Sequence, residues 1–109
     1  MITVASKLVE GHLDDQGVLH QDFVMQAATI GDALAAIEKA GPDSENLRLR
    51  IFKAAEQLQS LGTLEKSLIT GELLLALPEE DISPLFDAQD EIEKKRKSSK
   101  KPLGQSSGS

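Results

Sequence analysis

Two histidines are the first side chains in this sequence whose type and spacing could support chemistry. His12 and His20 flank a predicted hairpin turn, and Glu10 or Asp22 could supply a third ligand to a metal held between them. A closed metal site needs a specific ligand set, and no further donors stand in a metal-binding spacing. We therefore expect two exposed histidines on the wet face of a hairpin, with no metal bound.

The acidic run Glu79-Glu80-Asp81 is the second candidate for chemistry. Paired carboxylates can act as general acid and base, but they need a pocket around them. No nucleophile motif or phosphate-binding glycine loop accompanies the run, so a solvated turn is the favoured interpretation. We expect no catalytic residue and no cofactor, and a protein that works by binding another protein rather than as an enzyme.

Length and composition limit the remaining possibilities. The 109 residues suffice for one domain, and the absence of cysteine excludes disulfides and thiolate metal sites. Residues 1–5 lack the basic region and apolar run of a signal peptide, and the longest apolar run, 73–77, is too short to span a bilayer. These features predict a protein of the cytoplasm with no membrane partner.

Charge is divided unevenly along the chain. Residues 1–93 hold six basic and all 18 acidic side chains, for a net charge of −12, whereas residues 94–109 hold six basic side chains and no acid. An acidic body disfavours nucleic acid as a partner, because phosphate contacts need a basic face. The Ser, Lys, Gly and Pro content of residues 98–109 predicts a disordered basic tail behind a folded domain of residues 1–97.

A β-hairpin is predicted at the N-terminus. Residues 2–9 and 18–25 have the β-branched and aromatic content of strands, and Asp15-Gln16-Gly17 suits a three-residue loop between them. The register that this loop sets gives the hairpin one apolar face, made by Val9, Leu13, Leu19, Phe23 and Met25.

Three to four helices are predicted after the hairpin, which makes the fold class α+β. The first begins at Thr29, where Asp32 completes a capping box, and ends before Gly41-Pro42. The second is capped by Asp43 or Ser44 and ends at Gly62. A short third helix follows Thr70 as its cap and ends at Pro78, and the last runs from Ser83 to about Lys97, with Pro84 in its first turn. The side chains expected inside are Ile30, Leu34, Ile51 and Leu58.

An apolar cluster near the last two helices is the candidate partner-binding surface. The run Leu73-Leu74-Leu75 places three leucines in a row on a short helix, so one of them must point away from a single core. Together with the start of the last helix, the cluster holds more apolar area than one small core readily covers. Its members are Leu73, Leu74, Leu75, Leu77, Leu85 and Phe86.

The order of several short motifs resembles the small tail assembly chaperones of contractile-tailed phages and prophages, in particular the Mu-like group. The hairpin ends in Phe23-Val24-Met25-Gln26 and residues 28–36 open the first helix. Then follow Leu61-Gly62, Ile69-Thr70-x-Glu72-Leu73-Leu74-x-x-Leu77, Asp81-Ile82-x-x-Leu85 and residues 91–96. The resemblance covers residues 2–97. The stretch 41–64 carries little of it.

The resemblance implies a protein that binds the tape measure protein, a long and largely helical chain, and possibly the tail tube protein. It would keep the tape measure protein soluble until tube subunits polymerise around it, and it would be absent from the mature virion. No catalytic residue is implied. Two other functions fit the residues: a small acidic bacterial secretion or scaffold chaperone, and a nucleic-acid-binding regulator that uses the basic tail.

Overall fold

Within the described residues, the fold combines an antiparallel three-stranded sheet with four helices, and this confirms the predicted α+β class. The computed structural model describes residues 1–99. The strands are β1 (Thr3–Leu13), β2 (Leu19–Gln26) and β3 (Leu58–Leu61), in the sheet order β1-β2-β3. The helices are α1 (Ile30–Ala40), α2 (Asn46–Gln57), α3 (Gly71–Leu75) and α4 (Ile82–Ser99). Short 3₁₀ turns cover Lys66–Leu68 and Glu79–Asp81.

The hairpin turn forms where the sequence predicts it. The Asp14 carboxylate accepts hydrogen bonds from the backbone N–H groups of Gln16 and Val18, both at 2.9 Å. The Gly17 N–H donates to the Asp14 carbonyl at 3.1 Å. Gly17 has a φ of 81°, a value that glycine reaches without strain. Leu13 pairs with Leu19, as expected from this turn.

A bulge in β1 changes the register beyond the turn. Between Lys7 and His12 the strand carries extra residues, so that Phe23 lies opposite Ser6 and not opposite Val9. The predicted apolar face is therefore wrong in part: Val9 is 57% exposed, and Leu13 and Leu19 are exposed as well. Since side chains alternate along a strand, the shift sends Val9 outward, and the inward positions of β1 are Val4 and Leu8. Leu13 and Leu19 keep the predicted pairing but lie at the exposed turn end of the hairpin.

The third strand was not expected. Helix α2 ends at Gln57, and residues 58–61, predicted as its last turn, pair with β2 through Leu58 to Met25 and Leu61 to Phe23. Leu58 and Leu61 are fully buried in this strand, and a spacing of three would bury them equally well on a helix. The cap of α2 is also not the one predicted, because Glu45 holds that position and the Ser44 hydroxyl donates to the Gly41 carbonyl.

Helix α1 has the predicted capping box, but it is rotated from the predicted orientation so that a neighbouring face lies inward. Thr29 and Asp32 exchange the two cap hydrogen bonds at 3.0 and 2.9 Å. The buried side chains are Ala36 and Ala40, which pack against Phe52 of α2. The prediction that Ile30 and Leu34 lie inside is wrong, because small alanines allow α1 and α2 to approach closely and the large aliphatic side chains lie on the solvent side.

The main core lies between the sheet and the helices α2, α3 and α4. Its fully buried members include Phe23, Met25, Leu58 and Ile92. Helix α4 begins at Ile82, one residue before the predicted cap Ser83, and it continues through Ser99. Most of the tail predicted for residues 98–109 lies outside the described residues.

Helix α3 begins against the ring of Phe52. A Cβ atom on Gly71, the first residue of α3, would lie 2.4 Å from Phe52 Cδ2. The guanidinium of Arg48 also lies over this ring, 4.6 Å from its centroid. The buried ring therefore fixes the distance between α2 and α3, and only a glycine fits at this contact.

We expect Gly71→Ala to lower the free energy of unfolding by about 1–3 kcal/mol, because the added methyl overpacks the Phe52 contact. The matched control is Gly31→Ala in the first turn of α1, where the nearest atom to an added Cβ is Thr29 Oγ1 at 3.6 Å. That change should be neutral or stabilise by up to about 1 kcal/mol. Chemical denaturation of both variants measures the difference, and equal effects would contradict the packing argument.

Candidate functional site

An apolar cleft opens on the surface between α3 and the start of α4. Its volume is about 240 Å³. Two acidic residues, Glu79 and Asp81, belong to its wall. The apolar residues that line it are Ile51, Leu74, Leu75, Leu77, Pro78, Ile82 and Leu85.

Local hydrogen bonds set the shape of this cleft. The Thr70 hydroxyl accepts the Leu73 N–H at 3.1 Å and so caps α3, as predicted. The helix is only five residues long, and it ends as the Leu77 N–H reaches the Leu74 carbonyl at 3.1 Å. Pro78 then starts the 3₁₀ turn that leads into α4. In this turn the Asp81 N–H donates to the Pro78 carbonyl at 3.0 Å. One wall is thus α3 and the other is the first turn of α4.

The structure brings four of the six predicted binding residues to this cleft. Leu75 is 43% exposed and Leu77 is half-buried, whereas Leu74 and Leu85 are buried and form the floor. Leu73 does not line the cleft but packs half-buried against the main core. Ile51 and Ile82 line it without having been predicted, since Ile51 was expected only in the interior and Ile82 was placed before the helix.

Phe86, the sixth predicted residue, is covered by Arg50. The guanidinium lies 3.9 Å from the ring centroid, and it is held by Gln89 Oε1 at 2.7 Å and by Asp90 Oδ1 at 2.9 Å. An aromatic ring under a tethered guanidinium has its face occupied. Phe86 therefore joins α2 to α4 and does not offer that face to a partner.

Asp81 is buried in the cleft wall and holds the hairpin in place. Its side chain is 0% exposed, and its two carboxylate oxygens accept the N–H groups of Glu10 at 2.7 Å and Gly11 at 2.8 Å. The prediction of a solvated turn is thus wrong for Asp81, although Glu79 and Glu80 are exposed. A carboxylate that accepts two main-chain N–H groups can be buried at low cost, because these donors replace its water.

His20 is buried, contrary to the prediction of two exposed histidines. Its Nδ1 accepts the Thr63 N–H at 3.1 Å, and its Nε2 donates to Asp14 Oδ2 at 2.8 Å. The ring stacks on His12, with 6.1 Å between centroids. Both nitrogens of His20 are therefore engaged within the fold, and the pair shares one side of the hairpin as the sequence predicted.

Within residues 1–99, no three His, Asp or Glu side chains are grouped as a metal site requires. Every buried polar side-chain atom in that part of the chain has a hydrogen-bond partner. No helix in the same range has the length and apolar character that crossing a membrane takes. The apolar cleft is consequently the strongest candidate for a binding site.

Comparison with known proteins adds no relative. Neither a protein-family model, nor a curated protein, nor a solved structure matches this chain. The cleft, the charges and the order of the sequence motifs are therefore the features that indicate a function.

We expect Asp81→Asn to lower the free energy of unfolding by about 1–3 kcal/mol, because the amide NH₂ would face a main-chain N–H and leave it unpaired. Glu80→Gln removes the same charge from the exposed neighbouring position and serves as the control. Chemical denaturation compares the two. A loss no larger for Asp81→Asn than for the control would show that its two hydrogen bonds do not hold the hairpin.

The hydrogen bond from His20, together with that from the Val18 N–H, holds the pKa of Asp14 below its ordinary value of 3.8. At a pH between the lowered pKa of the folded state and the ordinary pKa of 3.8, the unfolded chain therefore binds more protons than the folded chain. Asp14 stabilises the fold above pH 3.8, and this contribution is lost as the pH falls through the lower, folded value. In thermal unfolding at pH 7, we expect Asp14→Asn to have a lower Tm than wild type. The difference in Tm between the two proteins should become smaller below pH 3.8.

Asp15→Asn, a change in the same exposed turn, is the control for this pH dependence. Its Tm difference from wild type should change less over the same pH range. A constant gap for Asp14→Asn from pH 7 down to about 2 would contradict the coupling between this carboxylate and the fold.

Proposed function

We propose that this chain is a non-enzymatic tail assembly chaperone of a contractile-tailed phage or prophage. It binds the tape measure protein in the host cytoplasm and keeps it soluble while the tail tube assembles. The observation that carries the proposal is the open apolar cleft between α3 and α4, which is lined by four of the six residues predicted from the leucine run and the start of the last helix.

The cleft has the properties that binding a helical client requires. Its floor of Leu74 and Leu85 is fixed in the core, and Leu75 stands 43% exposed at its edge. Helix-in-groove binding uses such a floor to receive apolar side chains that recur every three or four residues along one helix. A tape measure protein, as a long helical chain, presents many such segments before the tube encloses it.

The charge of the body supports the same function. Residues 1–93 carry a net charge of −12, and Glu79 stands at the edge of the cleft. A strong net charge keeps a small protein soluble when it carries an apolar client, and it favours client segments with basic flanks. The hairpin followed by helices is also the order of elements that the resemblance implies.

The test uses Leu75→Asp, because Leu75 is the leucine of the cleft that can be changed without opening the core. A carboxylate placed there would be left unpaired beneath an apolar client, and we expect the tape measure protein to become insoluble on co-expression. Leu68→Asp is the matched control, since Leu68 is 53% exposed and lies outside the cleft. Leu74→Asp is unsuitable, because Leu74 is buried and the change would unfold the protein.

The measurement is the soluble fraction of the tape measure protein, the product of a large gene expected beside this one, with pull-down through a tag on either chain. Circular dichroism confirms that both variants are folded. Full activity of a folded Leu75→Asp variant would rule out the cleft as the binding site. Failure of the wild-type protein to retain the tape measure protein would rule out the function itself.

A further inference from the structure

Strand β1 forms one edge of the sheet, and the outer side of its first half has no partner strand. The sheet order β1-β2-β3 leaves β1 with a neighbour on one side only. The Ala27 N–H donates to the Ile2 carbonyl at 3.0 Å, so the main chain of every second residue from Ile2 faces β2. The N–H and C=O groups of the residues between, which are Thr3, Ala5 and Lys7, therefore point away from the sheet.

A hydrogen bond on the other side of β2 gives the same assignment. The Gly62 N–H donates to the Asp22 carbonyl at 2.7 Å, so the main chain of Asp22 faces the β3 side. Its partner in β1, Lys7, consequently has its main-chain groups on the outer side. In the part of the chain that the structure describes, no hydrogen bond reaches the outward main-chain groups of Thr3, Ala5 and Lys7. These groups are called here the open edge.

Other parts of the two sheet edges are protected. In its second half β1 is bulged, and the Asp81 carboxylate covers this part by accepting two main-chain N–H groups. The opposite edge is β3, which has only four residues, and the Lys66 ammonium donates to the Leu58 carbonyl there. Bulges, short strands and covering side chains are means by which sheets avoid pairing with other chains. The open edge has none of them, and residues 2–6 contain neither a charged side chain nor a proline.

We propose that the open edge pairs with the open edge of a second copy of this chain, so that the two sheets join into one. Antiparallel pairing of identical strands is two-fold symmetric, and this is the commonest symmetry of protein dimers. With Ala5 at the two-fold axis, Ala5 faces itself across the interface, and Thr3 of each copy faces Lys7 of the other. Pairs of this kind exchange two main-chain hydrogen bonds each, which makes about six in all.

The side chains along the open edge suit a second copy. Thr3, Ala5 and Ser6 are small and exposed, so two strands can approach to the roughly 4.8 Å spacing of a sheet without a clash. The two edges also match in length, because each ends at the same bulge, and the two Lys7 charges do not lie opposite each other.

The net charge of the body opposes this association. Residues 1–99 carry ten basic and 18 acidic side chains, so two copies repel each other, and the dimer should become more stable as salt screens the repulsion. The open edge is separate from the cleft between α3 and α4, and the proposal stands whatever the cleft binds.

Sedimentation equilibrium of the full chain, over about a hundredfold range of protein concentration, measures the dimer. Ala5→Glu and Ala5→Lys each place two like charges opposite each other at the two-fold axis, and Ala5 is exposed, so the monomer keeps its fold. An equimolar mixture of the two variants brings opposite charges together at that axis. Gln16→Glu and Gln16→Lys, in the exposed hairpin turn, change the net charge equally and are the controls, and circular dichroism verifies the fold of all four.

We expect a wild-type dimer that salt strengthens, a dissociation constant at least about tenfold larger in each Ala5 variant, and recovery in their mixture. The Gln16 variants, alone or mixed, should dimerise as wild type does. A wild-type chain that stays monomeric, a dimer that persists in either Ala5 variant, or a mixture that does not recover would overturn the proposal.

Amide hydrogen exchange of the wild-type protein tests the same contact without any substitution. The amides of Thr3, Ala5 and Lys7 should exchange more slowly as the protein concentration rises, because the second copy then accepts their hydrogen bonds. Slowing confined to amides elsewhere in the chain would also overturn the proposal, since the two copies would then meet through another surface.

Discussion

The carboxylate of Asp81 is the contact on which the arrangement of the rest of the fold depends. It joins the turn before α4 to the backbone of Glu10 and Gly11, some 70 positions earlier in the chain. On the sheet side it supplies acceptors for two N–H groups within the irregular stretch of β1 between Lys7 and His12. On the helix side it holds the turn that forms one wall of the cleft. One buried interaction thus connects the irregular part of the hairpin to the wall of the cleft.

Local signals in the sequence predicted the starts of α1 and α3 and the position of the hairpin turn. Thr29 with Asp32, Thr70, and the Asp14 turn each act through hydrogen bonds between residues at most four positions apart, so the sequence alone contains both partners. Leu74, Leu75, Leu77 and Leu85 were also placed correctly in one apolar region. The fold class followed from these signals.

The wrong predictions concern interactions between residues that are distant in the sequence. Asp81 accepts N–H groups of the β1 bulge, and the bulge in turn reverses the side on which Val9 lies. His20 is buried in contact with Thr63, whose N–H donates to its Nδ1. The periodicity of side chains along a strand does not predict a contact between residues 43 positions apart. For α1, periodicity found the aliphatic stripe correctly but assigned it to the interior, whereas the closer packing of Ala36 and Ala40 on Phe52 decided which side faces inward.

The junction between α2 and β3 has a consequence for how the length of this chain can vary. The Leu58 N–H donates to the Ala54 carbonyl and so completes the last turn of α2. The same residue is the first of β3, where it pairs with Met25. A single inserted codon between Gln57 and Leu58 would shift the pairing of β3 with β2 by one residue and displace Leu58 and Leu61 from their partners Met25 and Phe23. Insertions and deletions should accordingly be accepted in the exposed turn at residues 15–17 and eliminated by selection across residues 46–61.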